Sequence, residues 1–250
     1  MSRALAPAGP ADFPIFYRSF SRSHVGRVRK VNEDRILDRP DRALWAVADG
    51  MGGHRGGDIA AELAIAALRG LADDRAGITA QAILDALQRA NAEILERGVA
   101  ASGVIGSTVV VLHIADGMAQ LFWAGDSRAY RAECGAWRQL TRDHSFVQEL
   151  VDQGLIASGD AAHHPRAHVI TRALGVHAEV ELECRTLPIL GNEIFLLCSD
   201  GLSRSLAAET PRGMVELDAP VADELLDAAL VKDGSDNISL ILVSAGRALA

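Results

Sequence analysis

The chain has 250 residues, 49% of them hydrophobic and 23% charged, enough apolar material for one domain with a sizeable core. Its formal net charge of −8 excludes the basic footprint of a nucleic-acid or anionic-membrane binder and leaves the acid surplus to meet cations. Three widely spaced cysteines, Cys134, Cys184 and Cys198, form no C-x-x-C pair, which excludes a disulfide scaffold or zinc knuckle and fits a reducing cytoplasm.

Residues 1–14 are rich in Ala and Pro and read as a disordered lead-in without the apolar segment of a secretory signal. No run approaches the roughly 18 apolar residues of a membrane span. Phe16 to His24 alternates bulky and polar residues and predicts a first strand. The next stretch, Arg27 to Asp34, mixes cations and acids and on composition alone reads as a solvated loop. Ala43 to Ala48 is short, continuous and apolar, a strand buried on both faces. A glycine-rich turn, Gly50 to Gly57, then opens a helix. Ile59, Leu63, Ala66 and Gly70 share one face of it, and Ala60, Ala64, Ala67 and Leu71 another.

A second helix starts at the cap Thr79, carries Ile83, Leu87, Ala90 and Ile94 on one face, and stops at Gly98. From Ser107 the period changes. Thr108 to Ile114 and Met118 to Ala124 are strands joined by the hairpin pair Asp116-Gly117. Ala129 to Ala132 and Trp137 to Thr141 make a further pair around Gly135. Ser145-x-x-Gln148 predicts a capping box before a short helix that ends at Gly154. An irregular excursion follows, so that residues of about 142–170 read as a flap. Val180 to Leu187 and Ile194 to Cys198 are strands turning at Gly191-Asn192; Val221 to Leu230 is a last helix and Ile238 to Val243 a last buried strand. Strand blocks separated by helix pairs predict an α+β domain rather than a doubly wound sheet.

The chemistry lies where acids interrupt this pattern. The glycine turn after Asp49 has neither the Lys-Ser/Thr of a phosphate loop nor the G-x-G-x-x-G spacing, and Asp49 would repel a phosphate unless a cation lay between them. The same construction, an acid at the edge of an apolar strand, recurs at Asp126, Asp200 and Asp236, with Asn32-Glu33-Asp34 and Arg29 upstream. Carboxylates with waters suit a hard cation such as magnesium or manganese. Taken alone, Asp126 fits the cap of a turn as well as a ligand. His163, His164 and His168 lack zinc-ligand spacing and read as part of the flap, and Cys198 as packing.

Taken in order, Arg29-x-x-Asn32-Glu33-Asp34, Ala48-Asp49-Gly50-Met51-Gly52-Gly53-His54, Gly106-Ser107-Thr108, Gly125-Asp126-Ser127-Arg128, Leu140-Thr141-x-Asp143-His144-Ser145, Ile170-Thr171-Arg172-Ala173-Leu174-Gly175, Ser199-Asp200-Gly201 and Asp236-Asn237-Ile238-Ser239 resemble the bacterial branch of the metal-dependent PPM (type 2C) Ser/Thr protein phosphatases. The match runs from about Ser19 to Val243, within a single domain of residues 15–246. The resemblance implies a four-layer α-β-β-α sandwich, two antiparallel sheets packed face to face with helices outside each. It also implies two Mn2+ or Mg2+ ions between the sheets. Asp49 would bridge them, the Gly50 carbonyl and waters held by Glu33 would complete one, and Asp200 and Asp236 the other. Asp34 would orient the waters, Asp126 with Asp200 would hold a third ion, and Arg29 would grip the substrate phosphate.

By the same resemblance, a hydroxide bridging the ions attacks phosphorus directly, without a phosphoenzyme. Met51 stands where animal-type relatives carry a histidine, so the proton donor to the leaving oxygen is either His54 or a metal-bound water. The implied partners are phosphorylated proteins and an opposing Ser/Thr kinase, with no nucleic acid and no membrane, and the expected state is a cytoplasmic monomer. Two other readings compete. A catalytically silent phosphoprotein-binding module on the same fold predicts lost ligands, whereas Asp49, Asp200 and Asp236 are present; a calcium-binding structural domain predicts acids in one loop, whereas these are spread along the chain.

Overall fold

A computed structural model of the chain describes residues 15–52, 56–74, 76–100, 103–206 and 219–247. The predicted lead-in 1–14 and His54 lie outside the described residues. In chain order the first elements are β1 (Ile15–His24), β2 (Asp34–Arg39), β3 (Leu44–Met51), α1 (Gly57–Asp73) and α2 (Ala80–Ala100). Next come β4 (Gly106–Ser107), β5 (Val109–Ala115), β6 (Met118–Ala124), β7 (Arg128–Glu133), β8 (Ala136–Gln139) and α3 (Phe146–Asp152). The last are β9 (Glu183–Pro188), β10 (Glu193–Cys198), α4 (Asp200–Ser203), α5 (Ala219–Lys232) and β11 (Ile238–Arg247). Among the described residues no helix is long and apolar enough to cross a membrane.

The strands form two antiparallel sheets, one in the order β1-β11-β10-β7-β8 and the other in the order β2-β3-β5-β6-β9, with β4 paired to β3. Their apolar faces define three cores. Trp45 and Val47 of β3, Val110 and Leu112 of β5, Phe195 and Leu197 of β10 and Ile241 and Val243 of β11 meet between the sheets. The alternate residues of β3 and β5 pack on α1 and α2, and those of β10 and β11 on α4 and α5. The continuous apolar runs therefore follow from double burial, each fully buried aliphatic side chain contributing about 1.5–3 kcal/mol. The four-layer α-β-β-α sandwich is the observed fold.

Several local expectations differ from the structure. Of the two stripes expected on α1, the one through Ala60 and Ala64 faces the sheet, in a buried set that also takes in Gly57, Ala61, Ile65, Leu68 and Ala72, while Ile59 of the other stripe is exposed and Leu63 packs half-buried at the edge of the core. An alanine-rich helix offers two similar stripes, and the larger Ile65 and Leu68 decide which one packs. α2 buries Ile83, Leu87, Ala90 and Ile94 as expected but runs through Gly98 to Ala100. The capping box is half made, since Ser145 Oγ accepts from Gln148 N at 3.3 Å while the Gln148 amide donates to Asp152 instead. β9 starts at Glu183, not Val180, and it lies in the opposite sheet from β10, so the turn between them crosses from one sheet to the other. The Asp116-Gly117 hairpin is present, both residues having positive φ (51° and 72°), as a tight turn between twisted strands requires.

The excursion of 142–170 is closed at its neck. Phe146 N donates to Val169 O and Thr171 N to His144 O, both at 2.9 Å. Within it the Arg166 guanidinium lies 3.7 Å from the centroid of the Phe146 ring, a cation–π contact that ties its two limbs together.

Candidate metal centre

All the singled-out acids of the described residues gather at one end of the sandwich, between the two sheets. Asp34 opens β2 directly opposite Asp49 near the end of β3. Asp126 lies in the crossover from β6 to β7, Asp200 begins α4 straight after β10, and Asp236 immediately precedes Asn237 and β11. Antiparallel pairing brings the end of β10 beside the start of β11, so Asp200 and Asp236 share an edge. The reading of Arg27 to Asp34 as a solvated loop fails at its last residue: Asp34 is only 2% exposed, because strand pairing with β3 draws it into the cleft.

Neighbours hold Asp49 through its backbone and Asp34 through its side chain. Asp49 N donates to Thr108 Oγ1 at 3.1 Å, and Thr108 N donates to Asp49 O at 2.9 Å. Asp34 Oδ2 accepts from Ser199 Oγ at 2.8 Å. Asn237 is the staple of the whole rim. Its Nδ2 donates to Val25 O and Val31 O and its Oδ1 accepts from Glu33 N at 2.8 Å, so one side chain sets the loop that carries Arg29 and Glu33. That role was not legible in the sequence, where Asn237 is only the residue after an aspartate.

Glycine is required at Gly50 and Gly57. A methyl on Gly50 would lie 2.0 Å from the Gly57 carbonyl oxygen and 2.9 Å from that of Glu33, and one on Gly57 would lie 2.8 Å from Glu33 Oε1. This close approach sets the Glu33 carboxylate beside the Gly50 carbonyl, at the start of α1.

The cluster is electrostatically strained. Burial, followed by the charges of Asp34, Asp200, Asp126 and Asp236, holds the Asp49 carboxyl well above its ordinary value. Burial also raises Asp34 to about 7 against hydrogen bonds from Ser239 and Ser199, and Asp126 to about 7 with Asp200 and Asp143 adding to it. Asp200 is raised by burial and partly relieved by Arg204. Four neighbouring carboxyls that resist ionisation together call for an added positive charge.

The donor set fits a hard divalent cation. Every candidate ligand is oxygen, and Asp34 Oδ1, Asp126 Oδ1 and Asp200 Oδ1 are buried without any hydrogen-bond partner, an expensive state for lone carboxylate oxygens. Among the described residues no three acid, histidine or cysteine side chains are yet drawn close enough about one point to hold an ion. The outer acids face arginines instead: Arg29 Nη2 donates to Asp236 Oδ2 at 2.9 Å and Arg204 Nη2 to Asp200 Oδ2. For Asp236 and Asp200 to join such a set, each carboxylate would have to leave its guanidinium.

Residues 22–233 match the family model described as Protein phosphatase 2C. The chain is 35% identical over 236 residues to the serine/threonine phosphatase stp of Listeria monocytogenes, covering 89% of this chain and 93% of the relative. Its fold is similar to that of PppA, described as a key regulatory component of T6SS in Pseudomonas aeruginosa, with a TM-score of 0.82 at 39% identity over 92% of this chain and 98% of that one. The catalytic domain of the serine threonine protein phosphatase PstP, solved in complex with two manganese ions, matches with a TM-score of 0.82 at 34% identity, over 93% of this chain and all of that one (100%). The matched residues 22–233 take in every segment from Arg29 to Asp200 that supplies the cleft, and on the match in sequence and fold together this chain belongs to the protein phosphatase 2C family.

Proposed function

We propose that the protein is a metal-dependent phosphatase that removes phosphate from serine and threonine of phosphoproteins and so opposes a Ser/Thr kinase. The observation that carries this reading is the convergence of Asp34, Asp49, Asp126, Asp200 and Asp236, from five separate stretches of chain, on one cleft beside Arg29. Two Mn2+ or Mg2+ ions, when bound, supply Lewis-acid polarisation of the phosphoryl group and activate water near neutral pH. Asp49, Asp200 and Asp236 with the Gly50 carbonyl would hold them, Glu33 acting through water, Asp34 orienting that water, and Asp126 serving a third ion.

The chain's own contribution is position and charge. Arg29, half-exposed at the rim, offers a planar fork that grips a phosphate through two N–H donors once it leaves Asp236. Thr108 holds the backbone of Asp49 so that the central carboxylate does not retreat as charge builds. Cys198 is fully buried with its thiol pushed up to about 12 and stays protonated, which supports attack by water rather than a covalent phosphocysteine. For the proton of the leaving oxygen, His54 is the candidate that the sequence supplies. The complete acid set within one chain supports a monomer, and three unpaired cysteines support the cytoplasm.

The test is phosphate release from a phosphothreonine peptide by chelated protein before and after Mn2+ is restored. Release only after restoration supports the reading. Release in excess chelator, or none from a folded protein that binds Mn2+, sinks it, and the second result would favour the silent binding module. Within the same assay Arg29→Ala is expected to raise KM about tenfold and to lower kcat by less, because it removes a charge that binds the phosphate. An unchanged KM would rule out the phosphate-gripping role.

A further inference from the structure

No sequence motif gives Arg204 a role, yet it stands against the acid cluster. It follows α4 four residues after Asp200, and one turn of helix returns its guanidinium to that carboxylate. Its charge also reaches Asp126, whose carboxyl it lowers against the effect of burial. The Arg204 side chain is 42% exposed where that of Asp200 is 14%. Beside the pair opens a cavity of about 440 Å³, bounded by Asp126, Arg128, Asp200 and Arg204 and, from the 142–170 excursion, by Ser145 and Ala161.

The two arginines of this cavity are not equivalent. Arg128 is committed, with Nε 2.9 Å and Nη2 2.6 Å from the Asp143 carboxylate and Nη1 3.2 Å from the Tyr130 hydroxyl. Arg204 has Asp200 as its one side-chain partner among the described residues, which leaves most of its five donors uncommitted. That one partnership is conditional. Asp200 also carries a buried oxygen with no partner, and a divalent cation taking up this carboxylate sets a like charge beside the guanidinium, which repels it strongly at such range.

We propose that Arg204 has two stations, on Asp200 before cations bind and in the adjoining cavity afterwards, where it selects phosphoprotein segments carrying a second anionic group near the phosphorylated residue. This rests on the phosphatase reading above. The second anion is a carboxylate or a second phosphate, both of which match the guanidinium fork. Arg29, on Asp236, would then hold the phosphate to be removed, and Arg204, on Asp200, the flanking charge.

The test uses the full chain loaded with Mn2+ and phosphothreonine peptides in which one flanking position is Gln, Glu or a second phosphothreonine. The wild type is expected to show a KM about five- to tenfold lower for the two anionic peptides than for the Gln peptide, with little change in kcat. Preference for the doubly phosphorylated peptide alone would identify the second anion as phosphate; preference for both would identify any anion. Arg204→Gln is expected to level the three peptides and Arg204→Lys to keep part of the preference. A wild type indifferent to the second anion, or an Arg204→Gln variant that still discriminates, overturns the inference and leaves the phosphatase reading standing. No hydrolysis of any phosphopeptide overturns that reading itself. The Asp200 station is read without catalysis, by calorimetric titration of the chelated protein with Mn2+. Arg204→Gln is expected to bind the ion about threefold or more tightly than wild type, because no guanidinium has to leave the carboxylate. An unchanged isotherm overturns the two-station arrangement.

Discussion

Asp200→Asn is expected to lower kcat/KM for Mn2+-dependent phosphate release by at least about a thousandfold, and at the same time to raise the melting temperature of the chelated protein. The two effects have one origin. A carboxamide offers a neutral oxygen where a dication needs negative charge, so the loaded site loses a ligand. In the chelated chain that same charge is a liability: Asp200 is raised by burial and by Asp236 even with Arg204 beside it, and it in turn raises Asp34, Asp49 and Asp126. Removing it relieves all of them, while the lost pair with Arg204 is partly exposed and worth little. A net gain of about 1 kcal/mol corresponds to roughly 2–4 °C for a chain of this size. Scanning calorimetry in chelator beside the peptide assay reads both. A variant that is inactive and also less stable would point to damage to the fold, and one that keeps activity would remove Asp200 from the metal centre.

Such a trade between function and stability explains which parts of the site were legible in the sequence. Asp49, Asp126 and Asp200 each follow an apolar run and Asp236 stands just before one, and an uncompensated acid at the edge of a buried strand is conspicuous in a single chain. Asp34 is not conspicuous, because its neighbours are Arg, Lys, Asn and Glu, and only pairing with Asp49 on β3 carries it inside. Non-local contacts decide the other misreadings too. β9 and β10 follow one another like a hairpin, but nothing within either strand says that one joins β6 and the other β7 and β11. The two sheets facing one another came from the ordered motifs and their family resemblance, not from periodicity, which reached only an α+β domain. Asn237 and Arg204 act through backbone groups and a carboxylate brought near by folding. No spacing rule announces them.

The chelated protein is expected to lose stability as pH rises from about 4 to about 7, and Mn2+ is expected to reverse that trend. In the unfolded chain the aspartates give up their protons near their ordinary value of about 3.9. In the folded chain Asp34 and Asp126 hold theirs to about 7 and Asp49 and Asp200 are raised as well, in each case with burial as the first cause. Between those limits the folded state binds more protons than the unfolded one, so unfolding free energy falls as pH increases. The contribution is whole below the unfolded value and is lost as pH climbs through the folded one. A carboxyl that titrates one pH unit higher in the folded chain than in the unfolded one contributes about 1.4 kcal/mol, and since the groups share one repulsion the total is of the order of a few kcal/mol. Surface acids act in the opposite sense: arginine partners hold Asp41, Glu133 and Asp223 low, and they do so with or without metal. Comparing urea unfolding in chelator and in Mn2+ at each pH therefore isolates the cleft. The ion competes with the protons for the same oxygens, so its stabilising effect should grow with pH over this window. Parallel curves with and without Mn2+ would mean that these carboxyls do not meet the metal.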